Sequence, residues 1–240
     1  MSMIRFSTEE VFDTDSQEYQ ILYNAAKEVG STPGAVVEIG TRRGGSAKII
    51  MDALVETNSA QDRPMFCIDP YGNIDLEITN INASIHYPGK YEVEGDAMSK
   101  DDSFATKFDY TNSMRNRIIP SLYYYAFQAG FNFTFFCLED TEFFKRYADG
   151  VPIYDEEKKL VDQYAFVFYD GPHTNEAVDE EMAFFVPRSP LGAVAVFDDI
   201  WMMEHDKIVE DKWFFNQKDT GQKWEILEKG DIKASYIRVS

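Results

Sequence analysis

The chain has 240 residues, a net charge of −19 from 42 Asp and Glu against 23 Lys and Arg, and is 44% hydrophobic and 15% aromatic. So acidic a chain gains little from counterion release on phosphate backbones, which argues against nucleic acid and anionic membrane surfaces as partners. The apolar fraction can fill the core of one α/β domain, and no run of about 18 uncharged apolar residues is present to cross a bilayer.

The opening MSMIRFSTEE has no apolar signal-peptide core, so a cytoplasmic setting is expected. Residues 16–29 form an amphipathic pattern that predicts a helix, ended by Gly30 and Pro33-Gly34. Residues 35–39 read as a buried strand, 40–45 as a turn, and 46–56 as a helix with apolar residues at helical spacing. A second strand over 65–68 closes on Asp69-Pro70. Residues 71–112 show no periodicity and carry scattered aromatics, and are expected to be a lid or substrate-recognition insertion.

A helix is predicted over 117–129 with Pro120 in its first turn, then a strand over 132–138 leading into Glu139-Asp140-Thr141. A short charged helix is expected over 155–163, a strand over 165–169, a helix over 174–185, a strand over 193–197 and a helix over 204–216. The chain ends in a strand pair, 223–227 and 235–239. Cys67 and Cys137 both lie in apolar strand-like runs and read as buried small hydrophobes. Alternation of this kind predicts a Rossmann-like doubly wound, mostly parallel seven-stranded sheet with an antiparallel C-terminal pair and helices on both faces. The whole of 1–240 is expected to be one domain.

In an open α/β sheet, ligands bind beyond the carboxyl ends of the strands. The first strand ends Glu38-Ile39-Gly40-Thr41-Arg42-Arg43-Gly44-Gly45-Ser46. Glycines there admit a ligand close to the backbone, and the next helix offers free N–H groups. Gly40 and Gly44 are four apart and no G-x-G-x-x-G is present, which fits a nucleoside without a pyrophosphate and disfavours a nicotinamide cofactor. Glu38 is placed to face the ligand's amino group, main-chain donors at Gly40, Thr41, Gly44 and Ser46 its carboxylate, and Asp69 both ribose hydroxyls. Asp140, with Thr141 beside it, borders the base. Any one such Asp can equally close a turn; several strand-ending acids together favour a ligand. E-x-G-x-x-x-G-x-S followed by an acidic end to the second strand resembles the class I S-adenosylmethionine-dependent methyltransferases. The resemblance implies that S-adenosyl-L-methionine is the cofactor.

Asp170-Gly171-Pro172-His173 closes the fourth strand and Asp198-Asp199 the fifth. On neighbouring strands these carboxylates would lie about 5 Å apart and repel, which a hard divalent cation such as Mg²⁺ would relieve. His173, near a helix start, is expected to stay neutral and to act as general base. D-G-x-H followed by D-D is similar to the macrocin O-methyltransferase family, metal-dependent sugar O-methyltransferases. That similarity implies metal ligation by Asp170, Asp198 and Asp199, a catalytic role for Asp198 and His173, and Asp170 also beside the cofactor. Pro172 departs from the family's D-G-D-H. The expected function is transfer of a methyl group to a hydroxyl of a small-molecule acceptor such as a sugar or glycosylated natural product, by a possible homo-oligomer. The alternatives are a catechol-type O-methyltransferase or a non-catalytic nucleoside-binding protein of the same fold.

Overall fold

A computed structural model describes residue 12 and residues 17–71, 112–215 and 221–240. The expected 71–112 insertion therefore lies outside the described residues apart from its two ends. Seven strands form the main sheet. Five run parallel: β1 (Ala35–Ile39), β2 (Pro64–Ile68), β3 (Asn132–Phe136), β6 (Tyr164–Tyr169) and β7 (Val194–Phe197). β8 (Trp224–Lys229) and β9 (Ala234–Arg238) complete it as an antiparallel pair, with β9 docked on β7. The spatial order is β3-β2-β1-β6-β7-β9-β8. The chain winds outward from β1 to one edge and from β6 to the other, so the topology switches between β1 and β6. Both of these strands are buried along their whole length, as apolar runs covered by helices on two sides should be.

One face carries α1 (Tyr19–Lys27), α2 (Gly45–Glu56) and α3 (Asn112–Ala129), packed on Val36, Met65, Phe166 and Val194. The other carries α4 (Asp140–Arg146), α5 (Asn175–Phe185) and a π-helix, Asp206–Phe215, packed on Val37, Val167 and Phe197. On that second face Tyr169 and Phe197 stack with ring centroids 4.4 Å apart, fixing β6 against β7 just below the strand ends.

Two expectations are corrected. The charged run expected as a helix over 155–163 is a hairpin, β4 (Val151–Asp155) paired antiparallel with β5 (Glu157–Val161). Glu156 makes the tight turn at φ 55, and cross-strand pairing outweighs the helical charge spacing. Both strands are edges, where Pro152 and charged side chains are tolerated. Secondly, α3 starts at Asn112, five residues before the predicted start, so Pro120 sits inside the helix instead of in its first turn.

Candidate active site

Strand period and register together gather the acids. Side chains alternate faces along a strand. Val36, Met65, Phe166 and Val194 face the α1–α2–α3 side, so Glu38, Asp69, Asp170 and Asp198, each an even number of residues further on, share that side. Backbone bonds carry the ladder past the strand ends: Asp69 N–H to Phe136 O (3.1 Å), Gly40 N–H to Ile68 O (3.0 Å), Asp170 N–H to Ile39 O (3.1 Å) and Asp198 N–H to Tyr169 O (3.0 Å). Asp69, Gly40, Asp170 and Asp198 therefore stand in one row across four neighbouring strands, spaced by about 4.8 Å per step. Gly40 sits at the switch point with φ 82, and a Cβ there would lie 1.8 Å from the Asp170 carbonyl oxygen, so only glycine lets β1 and β6 end side by side.

At the β1–β2 end, Glu38 and Asp69 are almost wholly buried. Glu38 Oε2 accepts from Cys67 Sγ at 3.4 Å and Asp69 Oδ2 accepts from the Arg42 N–H at 2.8 Å. Their other oxygens, Glu38 Oε1 and Asp69 Oδ1, have no hydrogen-bond partner among the described residues. Burial pushes both carboxyls up to about 7; Ser46, Thr41 and Cys67 partly offset this at Glu38, and the Arg42 N–H at Asp69. Arg42 holds its N–H there in a left-handed conformation, φ 40, and Gly44 caps α2 at φ 76. Two buried carboxylates thus keep an unsatisfied oxygen each beside a glycine turn, an arrangement that buried polar groups rarely show without a partner.

At the β6–β7 end, His173 Nε2 lies 3.4 Å from Asp170 Oδ1 and 3.8 Å from Asp199 Oδ2. His173 (φ 52) and Asp199 (φ 45) are both left-handed non-glycine residues, a strained pairing of the kind functional sites retain. Asp199 Oδ1 also accepts from Trp201 Nε1 at 3.1 Å, which sets Trp201, 47% exposed, beside this end. Burial drives the Asp170 carboxyl well up, reinforced by the neighbouring Asp198. For His173 the expectation is corrected. Burial lowers its pKa, but Asp170, Asp199 and Asp198 more than compensate, and the ring titrates above its ordinary 6.5. Three carboxylates outweigh the helix end.

The match that decides the family spans most of this row. The Methyltransf_24 family, described as a methyltransferase domain, matches residues 37–200, about two thirds of the 240-residue chain. The chain belongs to that family. It is an S-adenosylmethionine-dependent methyltransferase with the Rossmann-like fold. No curated protein matches its sequence. Among solved structures, the O-methyltransferase NovP is 19% identical with a TM-score of 0.53, over 91% of this chain and 79% of that one. CalS11, a calicheamicin methyltransferase, is 12% identical with a TM-score of 0.55, over 92% and 78%. Likeness at these identities speaks for the fold.

The orphaned oxygens of Glu38 and Asp69 and the close approach at Gly40 fit the polar head and ribose of this family's cofactor. A divalent ion fits the methyltransferase's other end less well. Asp170 and Asp199 both approach His173 there, but Asp198 Oδ1 is held by the Lys233 ammonium, and Lys233 is wholly buried. Among the described residues no group of three His, Cys, Asp or Glu forms a cation cage. A metal on Asp198 would share its carboxylate with that buried ammonium, and two cations on one buried carboxylate repel.

Two residues of this region escaped sequence reasoning. Lys233 precedes β9 and reads as a solvent charge. Its place on the same face as Ser235 and Ile237, both even steps away, was the available signal. Glu181 lies on the apolar stripe of α5 with Val178, Met182 and Phe185, an acid where a hydrophobe is due. It is buried, its carboxyl is raised well above the usual range by desolvation and by Asp140, and Oε1 lies 2.8 Å from where a Gly171 Cβ would be. Asp140 therefore faces Glu181, and its Oδ1 accepts from the Thr141 N–H at 2.6 Å. Cys137 is corrected: β3 ends at Phe136, and Cys137 is exposed where burial was expected, while Cys67 is buried.

Proposed function

We propose that this methyltransferase transfers the methyl group of S-adenosyl-L-methionine to a hydroxyl oxygen of a small molecule, a sugar or glycosylated natural product being the favoured class. The observation that carries the reading is the single row of strand ends. Buried carboxylates with unsatisfied oxygens stand on one side of Gly40, and a histidine clasped by two carboxylates stands on the other. NovP's description as an O-methyltransferase and CalS11's as a calicheamicin methyltransferase support the oxygen acceptor and its class.

The donor, when bound, supplies an electrophilic methyl and leaves as S-adenosylhomocysteine. Glu38 would take its ammonium group, Asp69 its ribose hydroxyls, and the N–H groups of Gly40 to Ser46 its carboxylate, and Asp140 and Thr141, after β3, would border the base. Most of the chain's work is then positioning the acceptor oxygen behind the methyl. His173 receives the hydroxyl proton, and Asp170 and Asp199 stabilise the imidazolium that results. Trp201 is placed to border the acceptor.

The test is turnover with a panel of sugars and glycosides, read as S-adenosylhomocysteine formed. His173→Ala should lose about 10²- to 10⁴-fold in turnover while S-adenosylhomocysteine still binds. Because its pKa is raised, His173 is protonated at mildly acid pH. Wild-type turnover should therefore rise with pH through a midpoint above 6.5, and that limb should vanish in the variant. Undiminished turnover in His173→Ala removes the base; no binding of S-adenosylhomocysteine to the wild type removes the reading.

A further inference from the structure

The cationic partner of the β7 acids belongs to the chain itself. β7 and β9 pair antiparallel with Phe197 opposite Ala234, so the next step of the register sets Asp198 opposite Lys233. The Lys233 side chain has no exposed surface and its ammonium meets Asp198 Oδ1. It also lies 5.5 Å from the centre of the Phe168 ring, over whose face it points.

The loop that delivers it is clamped. The Glu18 carboxylate accepts three successive N–H groups, from Asp231 (3.1 Å), Ile232 (3.0 Å) and Lys233 (2.9 Å). Gly230 N–H closes the turn on the Lys233 carbonyl at 2.8 Å, and Ile200 N–H bonds the Ile232 carbonyl at 2.9 Å. That last bond ties the Lys233 loop to the segment directly after Asp198-Asp199. A buried ammonium fixed this firmly beside a buried carboxylate is a built pair, since removing either member would strand the other's charge.

Lys233 lies beyond the residues matched by the family, 37–200, at the entry to β9. We propose that Lys233 is the resident positive charge of the acceptor end. It stands where the macrocin-type resemblance would put a divalent ion, and it acts as a positioning residue through Asp198. It sets Asp198 and, through the Asp198–Asp199 backbone, the carboxylates that hold His173. Asp198 Oδ1, besides meeting Lys233, accepts from the Asp199 N–H at 2.9 Å, which is how the ammonium's grip reaches Asp199. The inference rests on reading the row as a methyl-transfer site, and its consequence is turnover that needs no divalent ion.

The experiment is a titration of the full chain with Mn²⁺, with S-adenosylhomocysteine present or absent, followed by electron paramagnetic resonance. So acidic a surface takes up some Mn²⁺ anywhere, so the quantity read is the part lost in Asp198→Asn. In the wild type that part should be nil, and chelation with EDTA should leave turnover unchanged. Lys233→Met, close in length and uncharged, removes the ammonium from Asp198 while leaving its Asp199 N–H bond. It should gain about one equivalent of Asp198-dependent Mn²⁺ and a Mg²⁺-stimulated turnover, both lost again in Lys233→Met/Asp198→Asn.

An Asp198-dependent Mn²⁺ site in the wild type overturns the proposal, and so does a folded Lys233→Met that gains none. Should Lys233→Met fail to fold, the wild-type titration decides alone. Wild type that binds no S-adenosylhomocysteine condemns the methyl-transfer reading instead, and the Mn²⁺ result still reports on Lys233.

Discussion

Glu38 and Asp69 on one side of the switch point, and Asp170, Asp198 and Asp199 on the other, are acids set at strand ends by the same register, Glu38, Asp69 and Asp198 wholly buried and Asp170 and Asp199 half-buried. They differ in what satisfies them. The first pair meets a thiol, hydroxyls and a backbone N–H, and keeps an orphaned oxygen on each carboxylate. The second set has an internal ammonium and an imidazole that is readily charged. The contrast separates a surface built to receive donors from a ligand from one that keeps its own electrostatics in order whether or not a ligand is present. The first should respond strongly to cofactor and the second hardly at all.

The largest break in that comparison comes from the receiving side. Asp69→Asn and Glu38→Gln keep size and shape but remove the charge that hydrogen bonds from the cofactor would favour. Each should weaken S-adenosylhomocysteine binding by about 10- to 100-fold, the worth of one hydrogen bond to a charged group. Calorimetry checks it. Asp170→Asn, across Gly40, should change that affinity less than either. Equal losses at all three positions would erase the distinction between the two ends.

Much of this architecture was legible. β1, β2, β6 and β7 are short apolar runs with abrupt acidic ends, and burial on both faces makes such runs strands whatever the local propensity. The acids at their ends could be placed in one row because strand order and period fix both neighbour and face. What stayed hidden was set by contacts distant in sequence. Lys233 is a buried cation only because β9 docks on β7, which no local pattern announces. His173 is charged more easily than its helix-start position implies, because Asp170 beside it is joined by Asp199 and Asp198 from the neighbouring strand. The 155–163 segment carries helical charge spacing, yet it pairs with Val151–Asp155 once Glu156 takes a left-handed turn. The π-helix over Asp206–Phe215 has the apolar content of the expected α-helix, but Tyr236 hydrogen-bonds Glu210 at 2.7 Å and anchors it from β9.

A second way to sharpen the contrast is stability against pH. Glu38 and Asp69 have folded-state pKa values raised to about 7 by burial. A raised acid contributes its stability below the unfolded value, and that contribution is lost as pH rises through the folded one. His173, also raised, has the same sign. The ligand-free protein should therefore lose stability mainly between about pH 4.5, near the unfolded carboxyl values, and about pH 7, the folded ones. For Glu38, moving from 4.5 to about 7 makes that loss at most on the order of 3 kcal/mol. Glu38→Gln, with no charge to bury, should melt above the wild type at pH 8 and near it at pH 5 while binding cofactor worse. A wild-type melting temperature that climbs steadily from pH 5 to pH 7 would contradict both pKa shifts.

The smallest effect, and the most diagnostic, is the proton count on binding. With both carboxyls titrating at about 7, the ligand-free protein at pH 7 holds roughly half a proton on each. Hydrogen bonds donated to Glu38 Oε1 and Asp69 Oδ1 by a bound ligand favour the ionised forms, so both pKa values fall and the protons leave. Binding S-adenosylhomocysteine at pH 7 should release about one proton, and affinity should tighten as pH rises from 6 to 8 and level off above. Calorimetry in two buffers of different ionisation enthalpy measures the count directly. Asp69→Asn should halve it, and Asp170→Asn should leave it alone, because the charges at the β6–β7 end are already compensated within the chain. Proton uptake in place of release would mean that the cofactor buries these carboxylates without satisfying them, and would assign the orphaned oxygens to something other than its ammonium and ribose.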